Sequence, residues 1–409
     1  MSNLINEDFL KKALNLEGKI NHLIVEKLCS EEENFASKLF EVNFNVSKSD
    51  SMEEPYYLIL KYPDRESYFY KIIQCMNGYE KEVLMYSTML PDALDWQKNK
   101  FGKVKFLFPV AKIYYFNADD SVILMQNLKK YNYYVKSPEI GRNIDECKVV
   151  LKSLSIFHAI LVGYKQSFSS DDEFYKKYSF IKCLKKEILK KITDPSRRLE
   201  IFSCIVNVLN TVMPDRKDLF ERFLKHVSTE SVSSNVFTSI LPNNDFNVIT
   251  HGDLKNSNIM FMNNLSGSCN FIDLQMIKYC SPAADLSYFL WTSTSTDTIL
   301  NHSQELIKVY YDSLKSVAND LDSNISLTFN TLYENFVALH DAGLQFAVMT
   351  SAMKFAPQGK HFRARASDTK ENPLNEFVEE IKLITEQRNE ALMNRFTSLV
   401  QLGEDLKLY

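Results

Sequence analysis

The stretch from Val248 to Asp273, VITHGDLKNSNIMFMNNLSGSCNFID, constrains this chain more than any other. Val248 and Ile249 lead into a polar turn, His251-Gly252-Asp253-Leu254-Lys255-Asn256-Ser257-Asn258. A short apolar run, Ile259 to Met262, is followed by a turn rich in Asn, Ser and Gly. A second apolar run then closes on an acid, Phe271-Ile272-Asp273. Short apolar runs separated by turn residues predict a hairpin. One Asp and one Asn therefore share a loop, and a second Asp lies at the hairpin's end. Phosphoryl transfer requires such a set. One carboxylate orients the attacking hydroxyl, and an amide with a carboxylate holds magnesium on the phosphates.

The bulk of the chain suits an enzyme of this kind. Its 409 residues predict two or three domains, or two lobes around one cleft. A net charge of -4 argues against a nucleic-acid partner recruited by a basic surface. Seven cysteines, an odd number without a CxxC pair, read as free thiols in a reducing compartment. The N-terminus has no basic segment followed by an apolar one, and no apolar run suggests a membrane span. The expectation is a soluble, cytoplasmic protein.

In chain order, Asn6 to Leu16 predicts a short helix with Asn6 as its cap. Phe35 to Val46 and Tyr56 to Tyr62 read as strands. In the second, period two puts Tyr57, Ile59 and Lys61 on one face and Tyr56, Leu58, Leu60 and Tyr62 on the other. Gly78 to Leu90 reads as a helix stopped by Pro91. Lys105 to Tyr115 and Ser121 to Met125 read as strands joined by an Asn117–Asp120 turn. Beyond about residue 130 helical patterns dominate. They include the stripe Val150, Leu154, Phe157 and Leu161, a segment from Thr328 to Phe355, and a final amphipathic helix from Phe377 to Leu399. The expected fold is α+β and bilobal: a small β-rich lobe over 1–125, a hinge at 126–131, and a large, mainly helical lobe over 132–409.

Four elements line up with the opening loop. Lys61 ends a strand, Glu82 lies on the next helix, the loop carries Asp253 and Asn258 five residues apart, and Asp273 closes the hairpin. The protein-kinase catalytic loop has the same Asp-to-Asn interval. With HGD in place of HRD, the chain resembles the kinase-like phosphotransferases of small molecules, the aminoglycoside phosphotransferase and choline kinase group. More narrowly it resembles the ecdysteroid kinase-like family, with its CHK kinase-like domain. The resemblance is carried by Asn34-Phe35-Ala36-Ser37, Leu58-Ile59-Leu60-Lys61, and Glu82 to Tyr86 with Met89-Leu90-Pro91. Phe157-His158-Ala159, His251 to Phe261, Phe271 to Gln275 and Ser281 to Leu290 extend it over nearly the whole chain.

That resemblance implies a protein-kinase-like fold and an ATP- and Mg²⁺-dependent enzyme. The acceptor would be a hydroxyl of a small, rather apolar molecule, such as an ecdysteroid or another sterol-like or foreign alcohol. By the same resemblance Asp253 would orient the hydroxyl or take its proton, and Lys255 would stabilise transferred charge. Asn258 and Asp273 would bind magnesium. Lys61 would contact ATP phosphates with Glu82 orienting it, while Ser37, Met125 and Asn127 would lie against the nucleotide. Asp285 reads as an anchor, His251 as a brace of the loop, and His158 as a core histidine bonded to backbone. The family's glycine before Asn-Phe is replaced by Glu33, after Glu31 and Glu32. This acidic turn motivates the rival reading, a catalytically inactive fold that binds a ligand. A protein kinase is opposed by HGD and by the short run from Asp273 to Ser281-Pro282. The lysines at 185–186 and 190–191 read as a solvated face.

Overall fold

The computed structural model describes residues 5–28, 37–47, 53–136, 141–182, 195–229, 232, 241–243, 245–262, 267–354 and 373–409. The acidic turn Glu31–Glu33, the residues Asn34 to Ala36 and the lysines at 185–191 lie outside them.

Helix α1 (Glu7–Leu14) begins where the Asn6 side chain accepts the Phe9 N–H, as expected of that cap. Three strands follow: β1 (Lys19–Lys27), β2 (Ser37–Ser47) and β3 (Glu53–Pro63). Strand β1 had no reading in the sequence. Its register slips between Asn21 and Ile24, with His22 at φ 54°, so the alternation that marks a strand is broken by a bulge.

Helices α2 (Tyr68–Cys75) and α3 (Gly78–Leu84) come next. Pro91 does not stop the second one. A π-helical stretch, Met85–Met89, precedes α4 (Leu90–Phe101), and Pro91 takes the first turn of α4. The Leu90 N–H reaches back five residues to the Met85 carbonyl. This widened turn absorbs the donor that proline lacks, and the chain runs on as helix.

Strands β4 (Ile113–Asn117) and β5 (Val122–Gln126) complete a five-stranded antiparallel sheet of order β1-β2-β3-β5-β4. The Asn117 side chain accepts the N–H groups of Asp119 and Asp120 and forms the expected turn. Strand β4 starts later than its sequence suggests. The N–H groups of Lys105 and Phe106 donate to the Gln97 side chain on α4 instead of a neighbouring strand.

The sheet's two faces follow period two. Leu58, Leu60 and Tyr62 join Val42, Phe44, Val46 and Leu10 of α1 in one apolar cluster. Ile59 packs the other way, against a cluster containing Val83, Met85, Ile123 and Met125. Lys61 shares that second face, since it pairs with Ile123 as Ile59 pairs with Met125.

The rest is mainly helical. In order come β6 (Tyr133–Val135), α5 (Ile144–Gln166), α6 (Asp171–Lys177), α7 (Pro195–Val212) and α8 (Lys217–Val227). Four short strands follow: β7 (Val248–Thr250), β8 (Ile259–Met262), β9 (Cys269–Phe271) and β10 (Lys278–Cys280). Then come α9 (Ala283–Ser293), α10 (Thr296–Asp320), α11 (Phe329–Ala338), α12 (His340–Lys354), α13 (Pro373–Glu386) and α14 (Glu390–Asp405). Two segments that read as single helices are each two. The first divides at Leu339. In the second, Asn389 caps a new helix by accepting the Leu392 N–H.

Among the described residues α5 alone is long and apolar enough to cross a membrane. It is mostly buried in the interior and packs along α10, with Ser155 on α5 bonded to Ser313 on α10 at 2.6 Å. The cysteines at 75, 147, 204, 269 and 280 take part in no disulfide.

Candidate active site

Strand β7 pairs with β10, and β8 pairs with β9 as the expected hairpin. The loop from His251 to Asn258 is thus fixed at both ends by short ladders. Between them it hangs on one carboxylate. Asp285, in the first turn of α9, accepts the backbone N–H of His251 at 2.7 Å and of Gly252 at 2.9 Å. Its Oδ2 also receives the His158 ring at 3.2 Å, and the other nitrogen of that ring lies 2.7 Å from the Tyr310 hydroxyl. His158 is therefore a core histidine, as expected, but its partners are a carboxylate and a phenol rather than backbone. Burial opposes ionisation of Asp285. The bond from His158 and those from the loop amides outweigh it and hold the carboxyl below the usual range.

His251 braces the loop from within. Its Nε2 donates to the Ile272 carbonyl at 3.1 Å, and its Nδ1 accepts the Asp253 N–H at 3.3 Å. Burial pushes its pKa below the ordinary histidine value, which suits a neutral ring with one donor and one acceptor. Gly252 has φ 80°, and a Cβ there would collide with the Met276 carbonyl. Both conditions require glycine at this position.

Asp253 emerges from the brace with its carboxylate surrounded by donors. Oδ1 accepts the Tyr288 hydroxyl at 2.7 Å and Lys255 Nζ at 3.1 Å. Oδ2 accepts Lys255 Nζ at 2.8 Å and Asn258 Nδ2 at 2.9 Å. Asn258 Nδ2 also donates to the Asp253 carbonyl at 2.8 Å. With its amide nitrogen so committed, Asn258 has its Oδ1 to offer as an oxygen ligand.

Asp273 lies beside this loop, since the Ile272 N–H donates to the Asn258 carbonyl at 3.1 Å. Its backbone is left-handed, φ 68°, which is uncommon outside glycine, and its side chain remains 31% exposed. Lys61 Nζ bridges Asp273 Oδ1 at 3.0 Å and Glu82 at 2.8 Å. Glu82 is almost wholly buried and also accepts the Leu274 N–H at 3.2 Å. Burial disfavours the Lys61 charge, but Asp273 and Glu82 together outweigh it and hold the ammonium above the ordinary lysine range. Burial likewise raises Glu82. For Asp273, Lys61 outweighs burial and keeps the carboxyl below its usual value. One carboxylate and one amide oxygen are a donor set that Mg²⁺ accepts when phosphates supply further oxygens.

The remaining expected residues lie on β2, on β5 and just after β5. The Ser37 hydroxyl accepts Gln275 Nε2 at 3.3 Å, tying the start of β2 to the turn after Asp273. Met125 lies on the same face of the sheet as Lys61. The Asn127 N–H is taken by the Tyr57 carbonyl at 3.0 Å, and its side chain donates to Glu41 at 2.9 Å. The pair His158–Tyr310 had no reading as part of the site, whereas Tyr288 to Trp291 reads from the sequence as a stretch that could line the acceptor pocket. Tyr288 carried a signal, its place one turn after Asp285 on a helix that follows the hairpin directly.

A sequence model of the ecdysteroid kinase-like family matches residues 31–323. Among solved structures, an ethanolamine kinase of Plasmodium vivax is similar over 98% of this chain and 83% of its own, with 13% identity and a TM-score of 0.41. An aminoglycoside phosphotransferase of Streptomyces rimosus is similar over 75% of this chain and 89% of its own, with 12% identity and a TM-score of 0.30.

Proposed function

We propose that this chain, which belongs to the ecdysteroid kinase-like family, transfers the γ-phosphoryl group of ATP to a hydroxyl of a small molecule. The observation that carries this reading is the Lys61 bridge. One ammonium from the β-sheet holds Glu82 and, 212 residues away, Asp273 beside the Asp253 loop. ATP would lie between residues 1–125 and 132–409, which the chain joins through 126–131. Lys61 would contact its phosphates, Met125 its base, and Ser37 and Asn127 would shape the strand ends around it.

Asn258 Oδ1 and Asp273 would hold Mg²⁺. When bound there, the ion supplies positive charge to the phosphate oxygens and orients them for in-line attack. Asp253 would orient the acceptor hydroxyl and accept its proton as the oxygen–phosphorus bond forms and the bond to ADP breaks. Lys255 Nζ, already on the Asp253 carboxylate, would offset charge on the transferring group. The family suggests an ecdysteroid or another sterol-like alcohol as acceptor. The test is ATP turnover across a panel of such alcohols with the wild type and Asp253→Ala. The reading expects loss of all transfer in the variant. Transfer at the wild-type rate without this carboxylate would sink it.

A further inference from the structure

The geometry points to an acceptor that carries an anionic group, a carboxylate, sulfate or phosphate, which Lys354 and Arg395 hold about one helical turn from the reacting hydroxyl. The inference rests on the phosphotransferase reading and names the substrate class of the same site.

Two cations from different helices converge on the end of α9. Lys354, the last residue of α12, donates to the Thr292 carbonyl at 2.6 Å. Arg395, on α14, donates to the Trp291 carbonyl at 3.0 Å. Tyr288, whose hydroxyl bonds Asp253, lies one turn earlier on α9, and the Thr292 hydroxyl donates to the Tyr288 carbonyl at 2.6 Å. Four residues of helix rise about 6 Å, which sets the scale between the two ends of the site. Phe346 packs edge-on against Tyr288 with ring centroids 5.5 Å apart. Phe346, Thr350 and Lys354 follow at four-residue steps along one face of α12. This face of α12 thus runs along α9 from Tyr288, against Phe346, to Thr292, against Lys354.

Among the described residues no carboxylate pairs with Lys354 or Arg395. Each is only partly exposed, and their charges repel each other and that of Lys255. Burial, with this repulsion, pulls Lys354 down to about 7, and burial pulls Arg395 down to about 10. Capping the last carbonyls of α9 accounts for one N–H from each side chain. It does not account for two mutually repelling charges where a neutral donor would cap as well. An anion between them satisfies the remaining donors and removes the repulsion. The same field disfavours an amino alcohol.

The test uses the full chain with Mg²⁺ and ADP in chloride buffer. The probes are medium-chain ω-hydroxy fatty acids, their methyl esters and the matching ω-amino alcohols. Binding is read by calorimetry and transfer by ADP release with ATP. The acid is expected to bind about tenfold or more tighter than its ester, and the amine weakest. Lys354→Met and Arg395→Met should each collapse that ratio, and Lys354→Arg should retain it. A capping role alone would lower the melting temperature of the variants and leave the ratio unchanged. Equal binding of acid and ester, no binding of any acid, or a ratio untouched by the variants overturns the inference. Transfer to neutral alcohols with no preference for acids keeps the phosphotransferase reading and removes the anion site. Selective acid binding without any transfer does the reverse.

Discussion

The Tyr288 hydroxyl donates to Asp253 Oδ1 at 2.7 Å, and with Lys255 and Asn258 it fills the four lone-pair positions of that carboxylate. An acceptor hydroxyl must therefore displace a donor. Burial and the neighbouring carboxylate push the phenol well above its ordinary pKa, so Tyr288 remains a donor at any working pH. Tyr288→Phe vacates one lone pair. The acceptor KM is expected to fall by roughly ten- to hundredfold, the worth of one hydrogen bond to a charged group, with the KM for ATP within about twofold of wild type. Steady-state kinetics check this. A rise in acceptor KM would mean that the phenol positions the acceptor instead of competing with it.

Gly252→Ala should damage both fold and site. A left-handed alanine costs roughly 1–2 kcal/mol, and its Cβ must also move the Met276 carbonyl, in the turn that follows Asp273. Urea denaturation should register a loss of at least about 1 kcal/mol, and the thermal shift given by Mg-ATP should shrink. Wild-type stability in this variant would contradict the loop geometry.

Asp285→Asn replaces an acceptor of three hydrogen bonds by a group with one acceptor oxygen. Leaving buried N–H groups of His251 and Gly252 poorly paired should cost about 2–3 kcal/mol. The sign of the pH effect follows from a carboxyl whose folded pKa is depressed. Its stabilisation is present above the unfolded value, near 4, and is lost as pH falls through the folded one. The wild type should lose this increment in acid, and the variant's melting curve should be flatter there.

Lys61→Met leaves the buried Glu82 and the partly exposed Asp273 with no cation between them. One of them should take up a proton, so the variant should gain stability as pH falls from about 8 to 5. Wild-type Lys61, with its pKa raised, keeps its contribution until pH climbs past the ordinary lysine value. Phosphoryl transfer should drop by about a hundredfold or more. Thermal melts across pH and turnover assays check the two arms.

Lys354 has the opposite sign. With its folded pKa pulled down to about 7, the unfolded chain holds the extra proton between about pH 7 and 10, so stability rises with pH across that window. The stability of Lys354→Met relative to the wild type should be highest at about pH 6 and should decline by about pH 9, on top of a pH-independent cost for the lost bond to Thr292. Calorimetric melts in buffer free of phosphate and sulfate measure it. A difference constant with pH would mean that burial does not disfavour the Lys354 charge.

Much of the fold was legible where one physical signal spoke alone. Period two around Lys61 put Leu58, Leu60 and Tyr62 against α1 and Ile59 on the other face. Asn6 and Asn117 acted as the cap and turn that their side-chain oxygens favour. Signals that compete read wrongly. Pro91 is a helix breaker until a π-helical turn supplies the missing geometry, and β1 loses its alternation to a bulge. Leu339 and Asn389 divide helices that hydrophobic spacing alone runs together.

The sequence by itself determined the order of the chemical groups: a strand lysine, a helix glutamate, an Asp–Asn loop and a closing aspartate. It also determined the cap at Asn6 and the turn at Asn117, because side-chain-to-backbone bonds and backbone sterics act over a few residues. Only the tertiary structure decided what each group faces. Lys61 meets Asp273 across 212 residues, Tyr288 meets Asp253, Asp285 carries the loop with His158 behind it, and Lys354 and Arg395 converge on α9. Helical and strand periods specify which side of an element a residue occupies, and the packing of distant elements selects its partner.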